Sequence, residues 1–184
     1  MKLIVAVTGA SGIIYAVSFL KAAKQHKIET HLIITDSAKT VAGQEIGDSK
    51  QLTALANHVY DPDDMSVGIA SGSYPVYGMV IVPASMKTIA ALATGFADNL
   101  VTRAADVQLK ERRPLIVVPR ETPLHTVHLE NMAKLSSLGA VILPAMPGFY
   151  HKPESIDDLV EFIAGKILDQ LGVENNLYTR WGSA

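Results

Sequence analysis

The 184-residue chain has no cysteine, a single tryptophan and few charges, 18% of its residues, balanced to a net −2. Without cysteine there is no disulfide, no thiolate nucleophile and no cysteine metal site. The expected setting is a reducing, cytoplasmic one. With no long run of like charge, the chain lacks both the signature of disorder and the basic footprint of a nucleic-acid binder. Nor does it contain the roughly 18 to 20 uninterrupted apolar residues of a membrane span. The nearest approach, the charge-poor stretch 89–101, reads as a helix buried within one subunit or between several. The N-terminal apolar run stops at Thr8-Gly9-Ala10-Ser11-Gly12. It is too short for a secretory signal and reads as a first strand.

Several catalytic signatures are missing too. Gly9-Ala10-Ser11-Gly12 is not the full G-x-G-x-x-G fingerprint and has no P-loop lysine, which disfavours a standard dinucleotide or nucleoside triphosphate site. No Gly-x-Ser-x-Gly elbow occurs, and Ser11 has no assignable His and Asp partners, so a hydrolase triad is unsupported. His125 and His128, with Glu130 nearby, lack a third convincing metal ligand. His151 reads as a loop residue.

What is present is an alternation of apolar runs and helix-length segments. The runs at 3–7, 30–34, 79–82, 115–118 and 141–143 read as strands buried on both faces. Helices are expected within 13–23, 85–103 and 124–138, with Thr122 and Pro123 as an N-cap and N1 pair. The longest connection, 35–78, holds a turn at Asp61-Pro62-Asp63-Asp64 and room for a helix or two and an extra short element. A last helix begins at Ser155, which forms a capping-box pattern with Asp158. Its apolar stripe is Ile156, Leu159, Val160, Ile163, Ile167 and Leu171, with Lys166 at the margin. This pattern specifies an α/β fold, a Rossmann-like, doubly wound parallel sheet in three layers. With 48% hydrophobic residues, one domain over 1–184 can bury about 70% of its unfolded surface, and 172–184 forms a C-terminal tail.

Three strands run into proline, at Pro83, Pro119 and Pro144, and proline ends a central strand. The loops that follow carry Ser85, Met86, Lys87 and Thr88, then Arg120 and Glu121, then Met146. In an open parallel sheet this carboxyl edge is where ligands bind. The turn Gly9 to Gly12 enters a helix at the same edge, where free amides and the helix dipole favour an anion. Ser37, Ser85 and Thr88 add hydroxyls. Arg103, Lys110, Arg112 and Arg113 cluster before the fourth strand, either as a solvated face or as a second anion site.

Together these segments resemble the UbiX/Pad-type flavin prenyltransferases, formerly labelled aromatic acid decarboxylases. The resemblance rests on Val7-Thr8-Gly9-Ala10-Ser11-Gly12, Ala70-Ser71-Gly72-Ser73, Pro83-Ala84-Ser85-Met86-Lys87-Thr88 and the segment from Ala97 to Val107. It continues through Lys110-Glu111-Arg112, Pro119-Arg120-Glu121-Thr122-Pro123-Leu124 and Pro144-Ala145-Met146-Pro147-Gly148-Phe149-Tyr150. The pieces occur in family order over nearly the whole chain.

The resemblance implies a flavoprotein that assembles as a homo-dodecamer. It implies metal-independent transfer of a dimethylallyl group from dimethylallyl phosphate to N5 and C6 of reduced FMN, with the prenylated FMN passing to a UbiD-type decarboxylase. Gly9, Ala10, Ser11, Ser37, Ser85, Met86, Lys87, Thr88 and Arg120 are the implied FMN contacts. Tyr150 and Lys166 are implied contacts of the prenyl phosphate, with Arg103, Lys110 and Glu121 around it. Ser11 and Glu45 resemble the pair that manages the proton at flavin N5, and Glu121 or Tyr150 is placed to supply another. Lys166 stands where some relatives carry arginine, which exchanges a bidentate fork for a point charge. Some relatives carry a tryptophan near the Ala70 to Ser73 loop, whereas the one tryptophan here is Trp181. The alternatives are a flavin-dependent cysteine decarboxylase, whose Pro-Ala-Met-Asn motif is broken here by Pro147, and a non-catalytic FMN-binding protein.

Overall fold

The computed structural model describes residues 1–182. Six parallel strands form one sheet: β1 (Lys2–Val7), β2 (Glu29–Ile34), β3 (His58–Tyr60), β4 (Gly78–Ala84), β5 (Leu115–Pro119) and β6 (Val141–Ile142). They lie in the order β3-β2-β1-β4-β5-β6. The helices are α1 (Ile13–Gln25), α2 (Asp36–Glu45), α3 (Lys50–Thr53), α4 (Met86–Thr94), α5 (Leu100–Lys110), α6 (Thr126–Ser137) and α7 (Ile156–Gln170). The strand order reverses between β1 and β4, which places the crevice of a doubly wound sheet outside their carboxyl ends.

Alternation along the strands builds two cores. Leu3, Val5 and Val7 of β1 pack with α1, α2 and α7 on one face. Ile4 and Ala6 pack with α4, α5 and α6 on the other. The sheet therefore separates α7 from α5, and with them the side chains those helices carry.

Several expectations from the sequence hold. The 35–78 connection contains α2, α3, β3 and a short 3₁₀ turn (Gly68–Ala70), and the Asp64 amide donates to the Asp61 carbonyl at 3.2 Å. Ser155 and Asp158 form the capping box of α7.

Others are corrected. Pro83 does not end a strand: β4 continues to Ala84, with its register to β5 shifting between Ile81 and Ala84. The free Pro83 carbonyl is used instead, accepting from the Thr8 amide and hydroxyl. The stretch 89–101 is not one helix. Gly95 stops α4 in the left-handed conformation and Asn99 caps α5 in a box with Thr102, leaving Phe96 at the break, 61% exposed. Thr122 caps nothing, because its hydroxyl donates to the Glu121 carbonyl and α6 starts four residues later behind His125. Ile156 belongs to no buried stripe; it is 70% exposed in the first turn of α7.

The tail folds back on α7. Asn175 is buried and donates to the Gly165 carbonyl and to Asp169, and a Cβ on Gly165 would stand 2.7 Å from the Tyr178 ring. Gly165 is thus the opening through which the tail docks. Ser183 and Ala184, the end of that tail, lie outside the described residues.

Candidate active site

The crevice is built around Thr8, the first residue after β1. Its buried hydroxyl donates to the Pro83 carbonyl at 2.9 Å and accepts from the Ser85 amide at 2.8 Å, tying the ends of β1 and β4 together. Ser85 then caps α4, accepting from the Thr88 amide. Across the crevice Thr35 caps α2 and shares a 3.1 Å hydrogen bond with Ser37. A Cβ on Gly9 would lie 2.5 Å from the Ser37 hydroxyl oxygen, so only glycine lets the β1 turn approach α2 this closely. A cavity of about 340 Å³ opens here, its hydroxyls from Thr8, Thr35, Ser37, Ser85 and Thr88 and its cation from Lys87. Met86, half-buried, packs on the second core beneath it.

The N-terminus of α1 is not free for an external anion. Glu45, the last residue of α2, accepts from the Gly12 amide at 3.0 Å and the Ile13 amide at 2.8 Å, so the chain supplies the anion itself. Burial acts to raise the Glu45 pKa. The Ser11 hydroxyl, the Ile13 and Gly12 amides and the Arg120 charge outweigh it and hold the carboxyl below its ordinary value. Ser11 is thereby bonded to an ionised carboxylate, while Ala10 lies buried behind it.

Arg120 leaves the end of β5 and its Nε donates to the Ser11 carbonyl at 3.0 Å. Ser11, Gly12, Tyr15, Glu45 and Arg120 then line a second cavity of about 460 Å³. Burial raises the Tyr15 pKa, and Arg120 partly opposes that. Glu121 faces a smaller pocket of about 100 Å³ with Leu124, Met132 and Met146, its Oε1 accepting from the Thr122 amide.

The remaining candidates are dispersed. Lys166 lies 3.8 Å from Asp169 on α7. Asp169 also receives a two-nitrogen grip from Arg180 and a 2.5 Å hydrogen bond from Tyr178. Tyr150 packs edge-on against Phe162 and against Trp181, whose ring centre is 5.4 Å away. The one tryptophan therefore reaches the side chain implied to hold the prenyl phosphate. Arg103 and Lys110 are on α5, across the sheet from Lys166.

The basic cluster before the fourth strand does not form a single anion site. Arg103 donates to the Ala70 carbonyl and Asp106, and Arg113 donates to the Gly72 and Tyr74 carbonyls. Both arginines pin the 70–74 loop. Lys110 pairs with Glu111, and beside Arg112 and Arg113 it borders a cavity near the amino end of β5, away from Arg120.

Reading the sequence missed Thr8, Thr35 and Tyr15, and also Asn99 and Thr102, which line the 340 Å³ cavity. The Asn-x-x-Thr capping pattern was the available signal for the last pair; the others carry none.

The match to known proteins follows this geometry. The flavoprotein family model matches residues 1–168. The flavin prenyltransferase UbiX of Methanothermobacter thermautotrophicus is 54% identical over 180 residues, covering 97% of this chain and 94% of that protein. The chain belongs to the UbiX flavin prenyltransferase family. Among solved members, a UbiX protein in complex with FMN and dimethylallyl pyrophosphate superposes with a TM-score of 0.97 at 41% identity, covering 100% of this chain and 98% of the other. A dodecameric FMN-dependent UbiX-like decarboxylase from Escherichia coli O157:H7 gives 0.96 at 45% identity, covering 100% of both. A peptidyl-cysteine decarboxylase at 21% identity and a TM-score of 0.61, covering 80% of this chain and 81% of the other, shares the fold alone.

Proposed function

We propose that the protein joins the dimethylallyl group of dimethylallyl phosphate to reduced FMN, making prenylated FMN. The observation that carries this reading is the Ser11–Glu45–Arg120 constellation at the strand reversal, with a hydroxyl-lined cavity on one side and a partly apolar one on the other. Both cavities fall in the size range of small-molecule sites.

The residues fit FMN. The N-terminus of α4, with Ser85, Thr88 and Lys87, offers amides, hydroxyls and a cation to a phosphate, whereas the N-terminus of α1 is already occupied by Glu45. The cavity that Gly12, Tyr15 and Arg120 line leaves room for a flat ring beside Ser11. When bound, reduced FMN supplies the nucleophilic N5 and C6.

Ser11, bonded to ionised Glu45, is the group placed to take a proton at N5. Arg120 holds the Ser11 backbone and keeps the pair aligned. Departure of the phosphate leaves negative charge, which Lys166, Lys110 and Arg103 stabilise, and Glu121 or Tyr150 supplies the proton. Lys166 shares Asp169 with Arg180 and Tyr178, standing 3.8 Å from that carboxylate, and its ammonium is partly exposed to a phosphate.

Because Lys166 and Tyr150 are separated by the sheet from Arg103 and Lys110, the phosphate subsite is completed between subunits of a dodecamer. Exposed Met146, Phe149, Ile156 and Phe96 supply apolar contact surface for that assembly. The product passes to a UbiD-type decarboxylase. Pro147, which replaces the asparagine of cysteine decarboxylases, leaves that alternative without its motif.

The test is anaerobic incubation with reduced FMN and dimethylallyl phosphate, then with the pyrophosphate, followed by mass spectrometry of the extracted flavin. A flavin heavier by one prenyl unit is expected. Unchanged flavin recovered from folded protein with both donors overturns the reading.

A further inference from the structure

At the amino edge of the sheet, away from this chemistry, a cluster of side chains has no role in it. Glu29 opens β2, His31 follows two residues later on the same face, and His58 opens the edge strand β3 directly opposite His31 in the parallel register. Glu29 Oε1 lies 3.5 Å from His31 Nε2 and 3.1 Å from His58 Nε2, and one ligand atom from each residue falls within 4.8 Å of the others. A tetrahedral site with metal–ligand bonds of about 2.0–2.1 Å has edges of roughly 3.4 Å. Two of the three edges are already at that length, and a small turn of the exposed His58 ring closes the third.

We propose that Glu29, His31 and His58 bind one zinc-type divalent cation, with water as the fourth ligand, and that this ion fastens the three-residue edge strand β3 to β2.

The buried member of the set supports this most directly. His31 is 1% exposed, yet its Nε2 makes no hydrogen bond. An orphaned imidazole nitrogen aimed at a carboxylate costs stability unless something bridges the two. Its other nitrogen, Nδ1, meets the Tyr60 hydroxyl at 2.8 Å, the outer contact that orients a metal-binding histidine. Burial first, and then the His58 charge, lower the His31 pKa, against the raising influence of Glu29. Two imidazoles with one carboxylate suit zinc over magnesium or calcium. Lys2, whose ammonium stands 3.8 Å from Glu29 Oε1, is the resident cation that the ion displaces.

The site lies near the amino ends of β2 and β3, opposite the edge that carries Ser11 and Arg120. Its ion serves the fold and leaves prenyl transfer metal-independent.

The experiment titrates tag-free, FMN-loaded protein with Co²⁺ and then Zn²⁺, following visible absorption and thermal unfolding. One equivalent of Co²⁺ should give the intense bands of a tetrahedral site, zinc should displace it, and the unfolding temperature should rise. His58→Ala should abolish the bands while FMN remains bound. His128→Ala should keep them, which separates this site from the His125–His128 pair, and Lys2→Ala should tighten binding several-fold. The weak spectrum of aqueous Co²⁺ in the wild type, or equal bands in His58→Ala, overturns the proposal.

Discussion

At the carboxyl ends of β1, β4 and β5 the candidate residues are hydrogen-bonded to one another, whereas on the rim formed by α7 and the tail Lys166 pairs with Asp169 and Tyr150 packs on aromatic rings. Hydrogen bonds join Ser11 with Glu45 and Arg120, the latter across 109 positions of sequence, and Thr8 with Ser85. Tyr150 and Trp181 touch each other edge-on, and Trp181 is 81% exposed. The proposed flavin side is thus preorganised inside one chain, as a site that handles a proton requires. The rim presents aromatic surface and one lysine, and in the proposed assembly the further cations, Arg103 and Lys110, come from a neighbouring subunit.

The strongest way to break this comparison is to remove Glu45. Glu45→Ala frees the Gly12 and Ile13 amides and leaves Ser11 without its base, so prenylated-flavin formation should fall by roughly 10²–10⁴-fold. Because the cavity holding Ser85 and Lys87 is untouched, FMN affinity, read from flavin fluorescence, should change far less. A loss of FMN binding equal to the loss of turnover would show that Glu45 builds the pocket and has no part in the chemistry.

A second change tests packing at the same edge. Gly9→Ala sets a methyl group against Ser37 and should cost about 1–3 kcal/mol in denaturant unfolding, with weaker FMN binding. Adding Ser37→Gly removes the struck atoms and should restore most of the stability. If the double variant is no more stable than Gly9→Ala, the close approach is not what selects glycine.

These two sites also show where sequence is readable. The buried strands were legible because parallel strands covered on both faces are continuous apolar runs, and the start of α7 was legible because Ser155 and Asp158 are three residues apart. β3 was legible only as an unplaced short element, because three residues carry no period. Thr122-Pro123 mimicked a helix start, but the helix begins only at Thr126. Glu45 closes the α1 N-terminus from 33 positions away, a relation no local pattern contains. Its pairing with Ser11 came only through family resemblance. Resemblance also grouped Lys110 with Lys166 on one ligand, and it could not show that the sheet stands between them.

On the rim, Trp181→Ala should leave FMN affinity unchanged and weaken the allyl donor by about 2- to 30-fold, the range of an aromatic–cation contact of ~0.5–2 kcal/mol. Steady-state kinetics with the donor varied would read it as a rise in KM. An unchanged KM would remove Trp181 from the site and leave it as a surface contact.

The smallest effects should have opposite signs at the two regions. The folded pKa of Glu45 lies below its ordinary value, so its stabilisation is complete above the unfolded pKa and disappears as pH falls through the folded one. The Tyr178 phenol is pushed up to about 12, by burial first and then by its hydrogen bond to Asp169 and that carboxylate's charge. A raised pKa favours the protonated fold. The Tyr178 contribution is therefore complete below the unfolded value of about 10 and is lost as pH climbs through the folded value. Both groups are partly solvated, so each difference should stay near or below about 1 kcal/mol. Urea midpoints followed by circular dichroism should show Glu45→Gln flattening the acid limb alone and Tyr178→Phe the alkaline limb alone. If Tyr178→Phe parallels the wild type from pH 9 upward, the tail is not held on α7 by Asp169, and the rim owes its order to aromatic packing.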